Sequence, residues 1–325
     1  MVTTPVLNVY GVRGSIPAAN QRYMRFGGNT SSYTLRTPAN SLIFLDAGTG
    51  IVEALEELKE HADQVILALS HTHADHIQGL AMPNEGEVSP LPWLSKNEFY
   101  EHQKVQLIGP VNTMAALDKY YDACFVWPVT PEWMGSIDFK NRIEAQNNGA
   151  CTIDDVTTVR TMYGNHPVST GVVLYRFEMK TMGGLKVVAF ATDNEFDYAG
   201  VNKINPQAQK LKDAYVEFVA GADLLVADAQ YDMLQYLSGT PRDVRGFGHS
   251  YHEQILDLAA AAGVKSVLLT HHDRWSDDRL REKDAAIRVY GCENGLEAQL
   301  AREGMSIRLH EFTMSQNSAA TAGVF

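Results

Sequence analysis

Short apolar runs that end on an acid or a histidine recur along the chain. The runs are continuous rather than alternating and rich in Val, Ile and Leu, which is typical of strands buried on both faces. They are SLIFL before Asp46, VILALS before His71, VVAFAT before Asp193, DLLVA before Asp228 and SVLLT before His271. Because ligand sites in α/β folds gather at the carboxyl ends of strands, these side chains are expected at one edge of a sheet.

Helical and alternating segments lie between these runs. The segments GIVEALEELKEH, QAQKLKDAYVEFVAGA and HSYHEQILDLAAAAGV have helical spacing of apolar residues. In the last of them, Ser250 and Glu253 form a capping-box pattern and Gly263 is the predicted C-terminal stop. VYGV, SYTLRT, VTTVRTMY, VVLYRFEM and SIRLHEF predict further strands. The pattern favours a layered α/β protein with mixed sheets and outer helices.

The region 82–150 differs in composition, with many Pro, Trp and Asn residues around one strand, VQLIG, and one helix, VNTMAALDKYYDACF. We interpret it as an inserted cap over one side of the site; an extended surface excursion is the alternative. The rest contains no internal repeat and no low-complexity linker. The sequence therefore predicts one domain over 1–313, with 82–150 as its insertion, and a frayed tail over 314–325.

The amino-acid composition limits the classes of function that the protein can have. Hydrophobic residues make up 45% and charged residues 20% of the 325 residues, which is typical of a globular protein. The net charge of -12 argues against a broad grip on nucleic acid, although a bound metal would still allow an anionic small molecule. The cysteines are few, odd in number and widely spaced, which predicts reduced thiols and a cytoplasmic setting: Cys124, Cys151 and Cys292. Neither a signal peptide nor a membrane-length apolar run is predicted.

The segment SHTHADHIQG concentrates metal-ligand chemistry directly after a buried strand. It contains His71, His73, Asp75 and His76. Neutral imidazole and carboxylate are ligands for zinc, iron or manganese, and side chains two residues apart share a face of an extended segment. Four potential ligands are too many for one catalytic metal that keeps an open position. They fit two metals that share a cluster.

Further ligands are expected at other turns and strand ends. His166 lies in the turn YGNHPVSTG, and Asp193 ends a buried strand, where an unpaired carboxylate would be costly. Asp46 could orient a ligating imidazole or serve the start of the next helix. In LTHHD, His271 is better placed to face the site, with His272 as the alternative.

These motifs together resemble the metallo-β-lactamase superfamily, in the branch of phosphoribosyl 1,2-cyclic phosphodiesterase and ribonuclease Z. HTHADH matches the HxHxDH motif of that superfamily. The segments GVRGSIPAAN, GGNTSSYTLRT, LDAGTGI, NHP, ATDNE and GHSYHEQILDLAAAAGVKSVLLTHHD extend the resemblance over nearly the whole chain. It implies a four-layer αβ/βα sandwich with the site at the edge of the two sheets.

The resemblance also implies a ligand set. One metal would be held by His71, His73 and His166. The other would be held by Asp75, His76 and His271. Asp193 would bridge the two metals, with a water or hydroxide between them. The implied cofactors are two divalent ions, zinc in the first place, with manganese or iron as alternatives.

The activity implied is hydrolysis of a small or cyclic phosphodiester through that bridging hydroxide. The predicted catalytic residues are His249, Asp75 and Asp193. His249 matches the His of the HST motif in the ribonuclease Z branch, where it aids departure of the leaving group; this chain has HSY instead. The expected partner is a small-molecule phosphodiester rather than a membrane, and the oligomeric state is left open.

Weaker candidates could contact the substrate. Asn29 and Thr30 follow Gly27 and Gly28, which permit close backbone approach. Two arginines could meet an anionic group: Arg13 and Arg274. His252, one turn into its helix, is predicted to be a surface residue.

Rival functions stay open at this point. The same fold could cleave lactones, thioesters or β-lactams, but the last ligand is a histidine and no cysteine stands near these motifs. Processing of transfer RNA 3′ ends is disfavoured by the acidic charge and the lack of a clear basic, Gly-rich arm. Redox use of the fold usually replaces a histidine of the first motif by Glu, and none is replaced here. A non-catalytic nucleotide sensor is the alternative from a different class.

Overall fold

The computed structural model describes residues 4–81, 105–113, 115–117, 119, 137–238 and 243–309. The strands there are β1 Val6–Gly11, β2 Ser32–Arg36, β3 Ser41–Leu45, β4 Gln64–Ala68, β5 Val105–Gly109, β6 Ile137–Glu144, β7 Gly149–Asp154, β8 Thr157–Tyr163, β9 Val173–Thr181, β10 Gly184–Ala191, β11 Leu224–Asp228, β12 Ser266–Thr270, β13 Glu297–Leu300 and β14 Ser306–Arg308. The helices are α1 Ile51–Ala54, α2 Ala74–Ile77, α3 Ala208–Val219, α4 Met233–Ser238, α5 His252–Ala261 and α6 Asp277–Glu293.

The strands form two mixed sheets. The first has the order β14-β1-β2-β3-β4-β5-β6 and the second β13-β12-β11-β10-β9-β8-β7. Pairing is antiparallel from β1 to β3 and parallel from β3 to β6. In the second sheet, it is antiparallel from β7 to β10 and parallel from β10 to β13. The predicted mixed sheets are confirmed.

Successive residues of the apolar runs pack on opposite faces of each sheet. Ile43 and Leu45 of β3 belong to a core that also contains Tyr175 and Phe177 of the second sheet. Leu42 and Phe44 of the same strand pack with α1 and the 3₁₀ helix Leu55–Lys59. On the far side, α3, α5 and α6 pack on the second sheet around Tyr215, Ile255 and Ile287. These layers are the four-layer αβ/βα sandwich, so the predicted fold class is confirmed.

The predicted insertion is wrong for part of its range. β5 and β6 extend the parallel part of the first sheet, and β7 begins an edge of the second. Leu107 and Ile108 are buried in cores on opposite faces of β5. These strands therefore belong to the sandwich and not to a cap. Residues 82–104, 114, 118 and 120–136, which include more than half of the predicted helix, and the tail over 314–325 lie outside the described residues.

The predicted capping box is also wrong. Helix α5 begins at His252 with Tyr251 before it, and no side chain caps it. The hydroxyl of Ser250 instead donates to the carbonyl of Asn194, at 2.6 Å. His252 is buried rather than exposed, and burial lowers its pKa to about 4. The predicted stop is confirmed, since Gly263 follows the helix with a φ of 64°.

Candidate metal centre and active site

The carboxyl ends of five strands from both sheets meet at one edge. Asp46 follows β3, His71 lies just beyond β4, Asp193 just beyond β10, Asp228 ends β11 and His271 follows β12. All five side chains are buried. Parallel strands deliver these residues to the same edge, as the apolar runs predicted.

A first group of possible ligands consists of His71, His73 and His166, whose ligand atoms lie within 4.8 Å of one another. His166 Nδ1 lies 2.8 Å from the carbonyl oxygen of Gly248, to which it donates, so its Nε2 is left with the lone pair. Burial lowers the pKa of His71 well below its usual range and that of His166 to about 3. These imidazoles are therefore neutral at pH 7, which is the form that binds metals.

A second group consists of Asp75, His76, Asp193 and His271, under the same distance criterion. His271 Nε2 lies 3.1 Å from Asp75 Oδ2 and 3.2 Å from Asp193 Oδ2. Burial opposes a charge on His76 and His271, but the adjacent Asp193 carboxylate helps raise the pKa of both. A cation bound here would displace those protons, because ligating imidazoles must be neutral.

One oxygen atom connects the two groups. Asp193 Oδ2 lies 3.7 Å from the Nε2 atoms of both His71 and His166, and 3.4 Å from His76 Nε2. The same oxygen is the one that approaches His271. Asp193 therefore stands between the groups, where a bridging ligand would stand.

Both the residue types of these two groups and a structural observation indicate that they could hold metal ions. Within the described part of the chain, the buried Nε2 atoms of His71 and His76 have no hydrogen-bond partner. Leaving a buried polar atom unpaired costs about 1–3 kcal/mol, so such atoms require a functional explanation. A cation between them and Asp193 would supply it, and histidine with carboxylate suits zinc, manganese or iron.

Asp46 lies behind the cluster and orients it. Its Oδ2 accepts from His76 Nδ1 at 2.6 Å, and its Oδ1 accepts from the backbone N–H of Ser70 at 2.7 Å. Ser70 Oγ lies 3.0 Å from His71 Nδ1, so this hydroxyl connects Asp46 to a second imidazole. Of the two roles predicted for Asp46, the hydrogen bonds correspond to orientation of a ligand.

His249 stands beside the second group with a carboxylate partner of its own. Its Nδ1 lies 2.9 Å from Asp228 Oδ2 and 3.9 Å from Asp193 Oδ2. The other Asp228 oxygen accepts from the backbone N–H of Gln230 at 2.9 Å. Because Asp228 holds Nδ1, the second ring nitrogen of His249 is left for other chemistry. His249 lines a cavity of about 480 Å³ together with His73, Asp75 and His271.

His272 is directed away from this cavity. Its Nε2 donates to the carbonyl of Ala301 at 2.8 Å, and its ring meets Phe26 edge to face. His271 instead makes the carboxylate contacts of the second group. Of the two predicted alternatives, His271 is therefore the one that lies in the cluster.

The prediction that Arg13 could contact an anionic substrate is wrong. Its guanidinium is 1% exposed and donates to the carbonyls of Tyr23, Gly27, Asp273 and Trp275. These bonds tie the first loop to the loop after β12 and leave no accessible donor for a substrate. Arg13 is therefore a structural residue.

Thr30 and Asn29 are also engaged by the protein. Thr30 is fully buried, and its hydroxyl accepts from the backbone of Thr49 and from Gln78. Asn29 donates to Glu303 and accepts from Thr49 Oγ1. Both side chains hold loops together, and neither lines the cavity next to His249.

Arg274 differs from Arg13 in being exposed. It lines a second cavity of about 770 Å³ that adjoins the first, and the two share Ser15, Gln230, Tyr231 and Phe247. Arg279 lies on the same wall and stacks on Trp275. Arg274 therefore stays a candidate for contact with an anionic substituent of a substrate.

The sequence matches the model of the β-lactamase superfamily domain over residues 42–272. The chain belongs to the metallo-β-lactamase superfamily. No curated protein matches it by sequence. Among the described residues, no helix has the length and apolar character needed to cross a membrane.

Solved structures share this metallo-β-lactamase fold. Unliganded yeast PDE1 has a TM-score of 0.64 and 16% identity, covering 95% of this chain and 100% of the other. A diphosphatase from the PhnP family has a TM-score of 0.60 and 18% identity, covering 95% and 98%. The short form of human tRNase Z has a TM-score of 0.56 and 17% identity, covering 94% and 99%. The fold and the His/Asp cluster together fit a metal-dependent hydrolase.

Two residues of this metallo-β-lactamase site had no role assigned from sequence. Asp228 was recognised only as the end of an apolar run, and Ser70 only as the residue before His71. The pattern of apolar runs places Asp228 at the edge of the sheet but does not indicate which residue it contacts. Its partner His249 lies 21 positions away, on a loop whose course the sequence does not reveal.

Proposed function

We propose that this protein hydrolyses a small or cyclic phosphodiester with two divalent metal ions, and that His249 protonates the leaving group. The observation that carries the proposal is the position of Asp193 Oδ2 between two groups of ligands, with the His249–Asp228 pair beside it. A site for two cations next to a proton donor is an arrangement suited to hydrolysis of a phosphate ester.

His71, His73 and His166 would hold one ion, and Asp75, His76 and His271 the other, with Asp193 shared. Bound there, the ions would supply Lewis acidity and an acidified water. We propose zinc, with manganese or iron as alternatives, since imidazole and carboxylate ligands accept all three.

The rest of the chemistry belongs to the chain's own residues. Asp228 accepts from His249 Nδ1, which fixes the tautomer and orientation of the ring. Nε2 is then the nitrogen that would deliver a proton to the leaving oxygen. Ser15 donates its backbone N–H to Asp75 at 2.6 Å and so holds that carboxylate toward the cluster.

A small substrate is supported by the dimensions and charge of the site. The cavity beside His249 has a volume of about 480 Å³, which is in the range of small-molecule sites. The net charge of -12 disfavours a long polyanion. Arg274, on the wall of the adjoining cavity, would meet an anionic group remote from the reacting phosphate. The free thiols of Cys151 and Cys292 accord with the cytoplasmic setting that we propose.

The test is hydrolysis by protein loaded separately with zinc and with manganese. The substrates are bis-p-nitrophenyl phosphate, a cyclic nucleotide, a lactone and a thioester, assayed with metal content measured in parallel. The proposal expects two metals per chain and a preference for a phosphodiester. Preference for an acyl substrate by orders of magnitude would assign the site to acyl transfer instead. Tight nucleotide binding by fully loaded protein without turnover would indicate a sensor.

A further inference from the structure

The segment after β10 contacts the loop that carries His249. Asp193 belongs to the cluster, and the two residues after it form hydrogen bonds with this loop. The Asn194 carbonyl accepts from Ser250 Oγ at 2.6 Å. The Glu195 carboxylate accepts from the backbone N–H of Gly246 at 2.8 Å and of Gly248 at 2.7 Å. His249 is therefore held on both sides, through Gly248 before it and Ser250 after it.

Glu195 is buried, and its hydrogen bonds are directed to this loop. It is 1% exposed, and its third donor is the hydroxyl of Tyr236, at 2.6 Å from Oε1. Among the described residues, no Lys or Arg forms an ion pair with it. Desolvating a carboxylate is costly, and charge-assisted bonds from backbone N–H groups offset that cost only while their geometry holds. The carboxylate thus favours one conformation of the loop.

That conformation determines two features of the site. Gly248 has a φ of 91°, and a Cβ there would lie 2.0 Å from His166 Nδ1. The Gly248 carbonyl is the acceptor for His166 Nδ1, which leaves the lone pair of His166 on Nε2, 2.8 Å from His73 Nδ1 in the first group of ligands. The next residue is His249. Gly248, which Glu195 holds by its N–H, therefore orients a ligand through its carbonyl and immediately precedes the predicted proton donor.

We propose that Glu195 is a positioning residue that acts through the loop 246–249 on both His166 and His249. The inference rests on the proposed function for the role of His249. The part that concerns His166 depends only on the hydrogen bonds of the folded protein.

The test variant is Glu195→Gln, which keeps the size of the side chain. A carboxamide has one oxygen in place of two, and its NH₂ group cannot accept a hydrogen bond. In one orientation the NH₂ group faces the donors of Tyr236 and Gly246, and in the other it faces the N–H of Gly248, so at least one of the present bonds is lost. Small misplacement of a reacting group can lower a rate by up to about 100-fold. We expect kcat to fall by about 10-fold to 100-fold for a phenolate leaving group and less for p-nitrophenolate, with KM little changed.

A double-mutant cycle tests whether Glu195→Gln lowers kcat through His249. In a His249→Ala background, Glu195→Gln should lower kcat by less than about 3-fold, because residues that act through one group are not additive. An equal loss in both backgrounds would overturn the route through His249. Tyr236→Phe is the matched control: it removes one donor from Glu195 but leaves Gly246 and Gly248 bonded. It should lower the melting temperature without changing the dependence on the leaving group.

A readout on metal-free protein separates this inference from the proposed function. Long-range ¹H–¹⁵N spectra of histidine side chains report which ring nitrogen carries the proton. The wild type should show His166 with the proton on Nδ1, and Glu195→Gln should show a mixture of tautomers. An unchanged His166 tautomer would overturn the positioning role even if the enzyme is active. Conversely, a changed tautomer in a protein that hydrolyses no phosphodiester would retain the role on His166 and refute the function.

Discussion

The pairing of His249 with Asp228 makes a sharp prediction for Asp228→Asn. The Asp228 carboxylate accepts from His249 Nδ1 at 2.9 Å and from the Gln230 backbone N–H at 2.9 Å. Asparagine keeps the shape but lacks the charge. If its NH₂ group turns toward Nδ1, the imidazole is forced into the opposite tautomer. In either orientation of the amide, protonated His249 loses the carboxylate charge that stabilises it.

The magnitude follows from burial and from the type of bond. The side chains of His249 and Asp228 are 9% and 1% exposed, so solvent screens the contact weakly. A hydrogen bond to a charged group contributes about 1.5–3 kcal/mol. At about 1.4 kcal/mol per factor of ten, its loss in the transition state lowers kcat by about 10-fold to 150-fold. This loss is at or below the lower end of the range of about 100-fold to 10,000-fold for general acid catalysis, as expected when the partner of the acid is changed and the acid itself remains.

The assay compares aryl methyl phosphodiesters with p-nitrophenolate and phenolate leaving groups, at equal metal content. The poorer leaving group should lose more, because it depends more on the donated proton. Asp223→Asn is the matched control, since Asp223 is a buried carboxylate at the opposite end of β11, bonded to Val187 and Lys265. It should reduce stability and spare the leaving-group dependence. A uniform loss over both substrates, or an equal effect of Asp223→Asn, would refute the proton-donor pair.

Three further changes test other parts of the site and fold. His71→Ala should lower the number of metals bound per chain, measured by elemental analysis after dialysis; unchanged content would remove His71 from the ligand set. Arg274→Ala should raise KM for a substrate with a second anionic group and leave bis-p-nitrophenyl phosphate unaffected, whereas Arg281→Ala, on the exposed side of α6, should change neither. Burial raises the pKa of Glu303 to about 7. Folding therefore favours its protonated form, and that contribution to stability is lost as pH rises from about 4.5 to 7. Glu303→Gln should flatten the melting temperature of the metal-free protein over that interval, and an unchanged pH profile would contradict the assignment.

Local patterns predicted the fold and the ligand cluster because each depends on short segments. Five apolar runs delivered Asp46, His71, Asp193, Asp228 and His271 to one edge, and the spacing of HTHADH indicated the rest of the cluster. The fold needed only the alternation of strand and helix patterns, with a familiar motif to fix the topology.

The errors concern bonds between residues far apart in sequence. Ser250 has the local pattern of a helix cap, but its hydroxyl bonds to Asn194, 56 positions earlier. Arg13 is a weak candidate for contact with an anionic substrate from its residue type alone, whereas its partners include carbonyls 260 and 262 positions away. Glu195 could not be predicted for the same reason, because its carboxylate accepts from Gly246 and Gly248, 51 and 53 positions away. The chemical type of a polar residue is known from the sequence, but its hydrogen-bond partner depends on how distant loops pack together.

Backbone conformation at the strand ends shows why this edge of the sheets is suited to a metal site. Ser15, Asp46, Asp193 and His271 are four of the eight non-glycine residues with positive φ among those described. A left-handed conformation costs an L-residue roughly 1–2 kcal/mol, although Asp and His tolerate it better than most. The three at the strand ends turn the chain abruptly after the last paired residue, so that a carboxylate or imidazole enters the edge between the sheets. Residues held in such conformations persist where surrounding contacts over-determine them, and such sites are commonly functional. The hydrogen bonds of Asp46 to Ser70 and His76 are contacts of that kind. These bonds join protein groups to one another, so the turn after β3 is held by residues of the chain itself.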